Sequence, residues 1–166
     1  EEDYVIWKFV GQSPDGQTGR AGDEQQSCNW IVYRLADILL MKAEALSQLQ
    51  RYEEALRIIN KIRERATVPT INLPYNTVAF EDAILDERAR ELAYEGKRWF
   101  DLLRMGRRNN FGRKDKLIEI IVSNVPSTQK RILASKLTNP LGWYLPVYDD
   151  EIERNKNLEQ NPYYDF

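Results

Sequence analysis

Two amphipathic segments with almost no linker between them constrain the fold of this chain most strongly. Residues 29–50 place apolar side chains at helical spacing over a broad face, which predicts a largely buried helix. Residues 51–66 repeat the spacing on a narrower stripe. Because helices joined by so short a linker must lie side by side, the two segments predict an antiparallel helix hairpin. The stripes contain Leu35, Leu39, Ala43 and Leu46 in the first segment and Tyr52, Ala55, Ile59 and Ile62 in the second.

The hairpin is similar to a tetratricopeptide unit, a repeat built from one helix pair. Ala43 occupies the position where that repeat has a small residue, and Tyr52 occupies the position where it has an aromatic one. A single repeat does not bury its own hydrophobic face and is stable only when it is stacked on neighbours. We therefore expect the remaining apolar surface to contact the next helices, a partner or chain outside this sequence.

The segments on either side of the hairpin predict one short strand and two further helices. Residues 4–10 are aromatic and β-branched, which favours a strand, and the next stretch, residues 11–27, has the composition of a polar loop. A third helix is predicted to begin with Thr77 as its N-cap and to end near Tyr94. After a glycine, a shorter helix is predicted over residues 97–105.

The last third of the chain has weaker signals. Residues 106–116 are predicted to form a polar, basic loop, and residues 117–137 suit a helix or a strand equally well. Residues 149–154 predict a final helical turn. We therefore expect one domain with four consecutive regions. These are a strand and loop (1–28), a tetratricopeptide-like helix pair (29–68), a second helix pair (77–105) and a loop-rich closing segment (106–166).

The residue inventory excludes several classes of function. The 166 residues contain no histidine, which removes Ser-His-Asp and Cys-His catalysis and imidazole metal sites, and we predict no metal or other cofactor. The net charge of −2 comes from interspersed acids and bases, so no stripe for nucleic acid exists. The basic cluster between residues 104 and 116 is predicted to be a solvated helix end. No apolar run approaches the roughly 18 residues of a membrane span.

The charged stretch from Glu87 to Arg108 is the candidate for chemistry. Glu87, Glu91 and Glu95 recur every four residues and share a helical face, and paired carboxylates are what a glycosidase requires. However, arginines three or four residues away stabilise a helix and lower carboxyl pKa values, whereas a general acid needs a raised pKa. We therefore predict a structural role and no enzymatic activity. The predicted ion pairs are Glu87–Arg90, Asp86–Arg90, Glu95–Arg98 and Asp101–Arg104.

Three ordered blocks of this sequence resemble the SusD/RagB family. The first, Glu87 to Arg104, fits the family pattern E-R-x-x-E-L-x-x-E-G-x-R-x-x-D-L-x-R without departure. The second, YRLADILLMKAEAL, is similar to the family helix R-x-A-D-x-L-L-x-x-A-E-A. The third resembles the family's closing segment, but has Val147 where a second proline is usual and Tyr164 in place of a glycine-tyrosine ending. The signature positions of the first block include Glu87, Arg88, Glu91, Glu95, Arg98 and Asp101.

This resemblance implies a fold, a function and a location. The family's fold is mainly α, of the α-α superhelix type, with tetratricopeptide-like helix pairs and long irregular loops. Its members are cell-surface lipoproteins of Bacteroidetes-type bacteria that capture glycans, or peptides in some members. They sit as a lid on a SusC-like TonB-dependent outer-membrane transporter and are not hydrolases. Members are considerably longer, so we expect this chain to be the C-terminal portion of a protein whose lipid anchor lies outside it.

Candidate ligand contacts follow from the chemistry of sugars, which stack on aromatic faces. Trp7 and Trp30 flank the polar loop of residues 11–27 and are the candidate glycan-binding residues. Their candidate hydrogen-bonding companions are Gln25, Gln26 and Asn29. The other aromatic residues considered, Trp99, Trp143 and Tyr144, are predicted to pack in the core.

One alternative function remains open on the sequence. A tetratricopeptide-type adaptor would dock a peptide or a protein in a helical groove. This alternative accounts for residues 31–66, but it leaves the other two blocks unexplained.

Overall fold

The computed structural model describes residue 8 and residues 31–164 of the chain. Within that part the protein is mainly helical and has no strand, so the mainly α prediction is confirmed; the strand predicted over residues 4–10 lies outside the described residues. The α-helices are α1 Leu35–Gln48, α2 Tyr52–Arg65, α3 Thr77–Glu91, α4 Arg98–Phe111, α5 Lys114–Ser123, α6 Ser127–Leu137 and α7 Asp149–Arg154, with 3-10 helices at Pro140–Trp143 and Pro162–Tyr164. None of these described helices has the length and apolar character needed to cross a bilayer.

The first two helices form the predicted hairpin, and α3 covers it. One hydrophobic core joins the three helices, because Phe80 and Ile84 of α3 fill the space between them. Tyr52 fixes the start of α2 against α3, since its ring lies 5.0 Å from the Phe80 ring and its hydroxyl is 2.9 Å from the Thr77 hydroxyl. The next helix in the chain therefore supplies much of the apolar surface that the isolated hairpin lacks. The buried members of this core are Ala43, Leu46, Ala55, Ile59, Phe80 and Ile84.

Helix α1 is less buried than its apolar residues predicted. Leu35, placed on the buried stripe by sequence spacing, is 72% exposed, and Ile38 is also exposed. The stripe that faces α2 and α3 is offset by one residue and includes the polar side chains of Asp37 and Ser47. The apolar periodicity therefore located the helix correctly but gave the wrong centre for its buried face.

The boundaries of α3 differ from the prediction at both ends. The N-cap is Asn76, whose side-chain carbonyl accepts a 2.8 Å hydrogen bond from the Ala79 amide, and Thr77 is the first helical residue. The helix ends at Glu91 rather than Tyr94, because Tyr94 and Gly96 both have positive φ angles, at 65° and 71°. These two residues turn the chain into α4.

A second hydrophobic core holds the closing part of the chain and contradicts the loop predicted over residues 106–116. Helix α4 continues to Phe111, with a break at its last turn where Asn109 and Asn110 have positive φ, and α5 begins at Lys114. Residues 117–137, left open by the sequence, fall mostly in the helices α5 and α6. The core consists of Leu85, Leu102, Met105, Leu117, Leu137 and Trp143.

Gly106 determines how closely α4 approaches its neighbours. A Cβ atom at this position would lie 2.7 Å from Leu117 Cδ1 and 3.3 Å from the Trp143 ring. Both side chains are buried, so neither has free space into which to move. The glycine therefore allows α4 to pack directly against α5 and the tryptophan.

Candidate functional site

The signature residues of the charged stretch other than Arg98 form largely buried ion pairs across the first four helices, here called the charge network. Their partners come mainly from α1 and α2, not from the same helix. These ion pairs form three groups, around Glu87, around Arg34 and around Arg88. The charge network consists of Arg34, Asp37, Glu44, Arg63, Glu87, Arg88, Glu91, Glu95, Asp101 and Arg104.

Arg88 lies at the centre of this network between two aspartates. Its Nη2 atom is 2.8 Å from Asp37 Oδ1, and its Nε atom is 2.9 Å from Asp101 Oδ1. The arginine side chain is 4% exposed and both aspartates are 2% exposed. Neither Asp37 Oδ1 nor Arg88 Nε has a hydrogen-bond partner, so charge attraction dominates both contacts. Lys97 is 3.4 Å from Asp37 and Arg104 is 2.9 Å from Asp101, which gives each carboxylate a second cation.

Two of the signature glutamates, Glu91 and Glu95, form ion pairs with Arg34, which immediately precedes α1. Arg34 Nη1 donates to Glu91 at 2.6 Å, and its Nε donates to Glu95 Oε2 at 3.0 Å. Lys8 Nζ donates to Glu95 at 2.8 Å. Burial alone would raise the pKa of Glu95, but the hydrogen bonds and positive charges of Arg34 and Lys8 outweigh that effect and hold the pKa below its ordinary value. The Glu95 carboxylate is therefore ionised at neutral pH and paired with Arg34 and Lys8.

Three of the four predicted ion pairs within the helices form, and one does not. The pairs that form are Glu87–Arg90 at 3.4 Å, Asp86–Arg90 at 3.9 Å and Asp101–Arg104 at 2.9 Å. The predicted pair of Glu95 with Arg98 is wrong, because Glu95 faces Arg34 across the helices. Arg98 instead donates to the Leu85 carbonyl at 2.8 Å, and burial lowers its pKa. Glu87 also has a stronger, non-local partner, since Arg63 Nη1 lies 2.8 Å from it.

The carboxylates of α1, Asp37 and Glu44, are ion-pair partners that pairing rules within one helix do not predict. Glu44 accepts from Arg104 at 2.8 Å and also from Arg108. Burial would raise the pKa of Glu44, but these two arginines outweigh it and lower the pKa. The sequence carried a usable signal, since Asp37 and Glu44 are seven residues, or two turns, apart on a helix expected to be buried. Charges repeated on a buried face indicate cations on the neighbouring helices.

The charge network is poorly suited to general-acid catalysis or metal binding. The carboxylates of the charge network are paired with arginines or lysines, and the pKa values of Glu44 and Glu95 are lowered, which is the wrong direction for a general acid. No group of side chains suited to a metal ion occurs among the described residues. These carboxylates therefore act as ion-pair partners within the fold.

A second feature, here called the aromatic groove, lies between α4 and the loop that follows the first 3-10 helix. Its volume is about 750 Å³. Trp99 and Tyr144, predicted to be core residues, are instead 37% and 38% exposed on the groove. Trp143 is buried as predicted, and its Nε1 donates to the Leu137 carbonyl at 2.8 Å. The groove is lined by Trp99, Phe100, Leu103, Arg104, Arg107, Arg108, Trp143, Tyr144 and Leu145.

The third sequence block holds one wall of this groove in place. The side-chain amide of Gln160 clasps the backbone of Val147: its Nε2 donates to the carbonyl and its Oε1 accepts from the N–H, both at 2.9 Å. The clasp requires an N–H group at residue 147, which a proline would lack. Asn161 Nδ2 donates to the Leu141 carbonyl at 2.9 Å, on the other side of Tyr144.

The comparisons with known proteins agree with the three blocks and the helical fold. The sequence model of the SusD family matches residues 1–164. The chain belongs to the SusD family. It is 38% identical to SusD-like protein P38 of Formosa agariphila over 144 residues, which is 81% of this chain and 25% of that relative. It is 32% identical to SusD-like protein P2 of the same organism over 154 residues, 88% of this chain and 28% of the relative. No solved structure matches the chain.

SusD-family membership gives the charge network and the groove a context. The chain spans about a quarter of the length of the two relatives just described. The family is associated with glycan capture, and its members are non-catalytic, nutrient-binding outer-membrane lipoproteins. The family signature in residues 87–104 therefore coincides with the part of this chain that forms buried ion pairs.

The tryptophans predicted from the sequence to bind a glycan are not among the described residues. Trp7 and Trp30 lie outside them, and so do their candidate companions Gln25, Gln26 and Asn29. These five residues remain predictions. The aromatic groove was missed by sequence reasoning, because an exposed tryptophan on a charged helix has the same local pattern as a buried one.

Proposed function

We propose that this protein captures glycans at the bacterial cell surface without modifying them. It hands them to a SusC-like TonB-dependent transporter in the outer membrane, where a lipid anchor of the full-length protein holds it. The observation that carries the proposal is the family match over residues 1–164. The glycan and the transporter are the ligand and partner expected of a SusD-family protein.

Two features of the structure support a binding role rather than a hydrolytic one. The signature glutamates are occupied by arginines, so they offer no pair of free carboxylates for acid–base chemistry. The aromatic groove presents partly exposed ring faces, the surface on which sugar rings pack. Incubation with a bound polysaccharide should therefore release no new reducing ends, and a release that disappears in Glu91→Gln would instead support a hydrolase.

Affinity electrophoresis against a panel of soluble polysaccharides tests the proposal. The chain is run beside a longer form extended at its amino end and beside a non-binding protein of similar size and charge. Retardation of this chain by a polysaccharide supports capture by residues 1–166, and Trp7→Ala and Trp30→Ala then test the predicted contacts. Retardation of the longer form alone supports glycan capture with the site upstream.

If no polysaccharide of the panel retards either form, glycan capture is overturned. A peptide- or protein-binding adaptor of the tetratricopeptide type then becomes the better reading. One observation favours that alternative: Leu35 and Ile38 leave an exposed apolar strip on α1, which is the kind of surface a docked helix covers.

A further inference from the structure

We propose that the aromatic groove binds an anionic sugar residue, with Arg107 pairing with its carboxylate or sulfate group. The rings of Trp99 and Tyr144 contact the apolar face of the same sugar. This inference rests on the proposed glycan capture and narrows it to a place in the fold and a class of ligand.

Arg107 differs from the two arginines beside it on α4. Arg104 is paired with Glu44, and Arg108 is paired with Glu44 and Glu81. Arg107 is exposed and has no carboxylate within ion-pair distance in the part of the chain that the structure describes. The positive charges on either side of it are thus compensated from within the fold, whereas its own charge remains available to a ligand.

The exposed guanidinium of Arg107 lies beside the Tyr144 ring at the groove. Its Cζ atom lies 5.8 Å from the centre of the Tyr144 ring, within the range of a cation–π contact. Tyr144 is itself carried by the loop that Gln160 fixes through Val147. A guanidinium placed on a ring keeps N–H groups free for an oxyanion, and its planar fork matches the oxygens of a carboxylate or a sulfate.

The rest of the groove suits the ring of a sugar. Its volume of about 750 Å³ lies within the range of small-molecule sites, roughly 300–1,000 Å³. Phe100 and Leu145 leave apolar surface exposed beside Trp99. A sugar with one anionic substituent has both features required, an apolar ring face for the aromatic residues and a charge for Arg107. A nucleic acid is disfavoured, since the chain carries a net charge of −2 and no basic stripe.

Two matched ligand pairs test this inference and separate its two possible anions. Dextran sulfate against dextran isolates the sulfate group, and oligogalacturonate against its methyl ester isolates the carboxylate. Each is titrated into the whole chain at about 0.15 M salt, where surface charges are screened. Because a hydrogen bond to a charged group contributes about 1.5–3 kcal/mol, at least one anionic member should bind about 10-fold or more tightly than its neutral counterpart.

The variants assign that preference to the groove. Arg107→Gln should bring the anionic ligand to the affinity of the neutral one. The matched control is Arg57→Gln, which removes an exposed arginine from α2 that also has no carboxylate within ion-pair distance among the described residues. It should leave the preference intact. Trp99→Ala should weaken binding of the preferred ligand, and circular dichroism and thermal unfolding verify that each variant is folded.

The outcomes distinguish this inference from the proposed function. A preference of about 10-fold that is lost in Arg107→Gln and kept in Arg57→Gln supports the groove. Equal affinity for charged and neutral ligands, or a preference that Arg107→Gln leaves unchanged, overturns the inference. Glycan capture then still stands if electrophoresis shows retardation by any polysaccharide. If neither titration nor electrophoresis detects binding, both are overturned.

Discussion

Replacing Arg88 by methionine should destabilise this protein substantially, because it leaves two buried carboxylates without their central cation. Asp37 and Asp101 lie 2.8 and 2.9 Å from the arginine, and each is 2% exposed. Methionine approximates the length of the arginine stem without its charge. The variant therefore removes the electrostatic partner while largely preserving the packing.

The expected magnitude follows from the cations that remain. Removal of one member of a buried ion pair costs about 3–5 kcal/mol. Here Asp37 keeps Lys97 at 3.4 Å and Asp101 keeps Arg104 at 2.9 Å, so the lower end of that range applies, about 3 kcal/mol. In a chain of 166 residues each kcal/mol shifts the unfolding midpoint by about 2–4 °C, so the Tm should fall by about 6–12 °C.

Urea unfolding followed by circular dichroism measures this change, with Arg90→Met as the matched control. Arg90 is on the same helix but is mostly exposed, so its loss should cost less than about 1 kcal/mol. A triple variant that also carries Asp37→Asn and Asp101→Asn removes the uncompensated charges and should recover part of the stability. A loss below about 1 kcal/mol in Arg88→Met, or a triple variant less stable than the single one, would refute this account of the network.

Three further predictions concern other parts of the fold. Gly106→Ala should cost about 1–3 kcal/mol in urea unfolding, since its Cβ would lie 2.7 Å from Leu117 Cδ1, and Leu117→Val in the same chain should recover part of that loss. Gln160→Ala should speed hydrogen exchange of the Val147 amide while leaving the exchange of α1 to α3 amides unchanged, and equal rates in both proteins would contradict the clasp. Because the folded pKa of Glu95 is lowered, its contribution to the free energy of unfolding should be complete above its ordinary pKa of 4.5 and be lost as the pH falls below that value. The stability difference between the wild type and Glu95→Gln, measured from pH 7 to 3, should therefore narrow toward the acid end.

Much of the helical architecture was predictable because its signals are local. Apolar periodicity and a very short linker predicted the hairpin of α1 and α2, and the structure contains both helices and the short linker. Apolar periodicity did not predict which face of α1 is buried. Leu35 is exposed and Asp37 is buried, because the ion-pair partners of Asp37 come from residues 88–97, about 50 to 60 positions further along the chain.

The candidate site was predictable only in part, for the same reason. Pairs three or four residues apart, such as Asp101 with Arg104, follow from helix geometry. The three-residue spacing of Glu95 and Arg98 also predicted an ion pair, but Glu95 pairs with Arg34 from a distant segment instead. The sequence alone does not show whether a local or a distant partner binds more strongly. The aromatic groove depends on the path of the loop after Trp143, which is set by side chains more than ten residues later.

The clasp of Val147 by Gln160 has a consequence for the order in which the molecule is completed during synthesis. Every residue that lines the groove leaves the ribosome earlier than Gln160, because the lining ends at Leu145. Helices α1 to α4 and the charge network have all of their residues by then and are free to assemble. The groove wall, in contrast, stays unfastened until residue 160 has emerged. A nascent chain stalled or cleaved before that point would lack the clasp and present an incomplete groove wall.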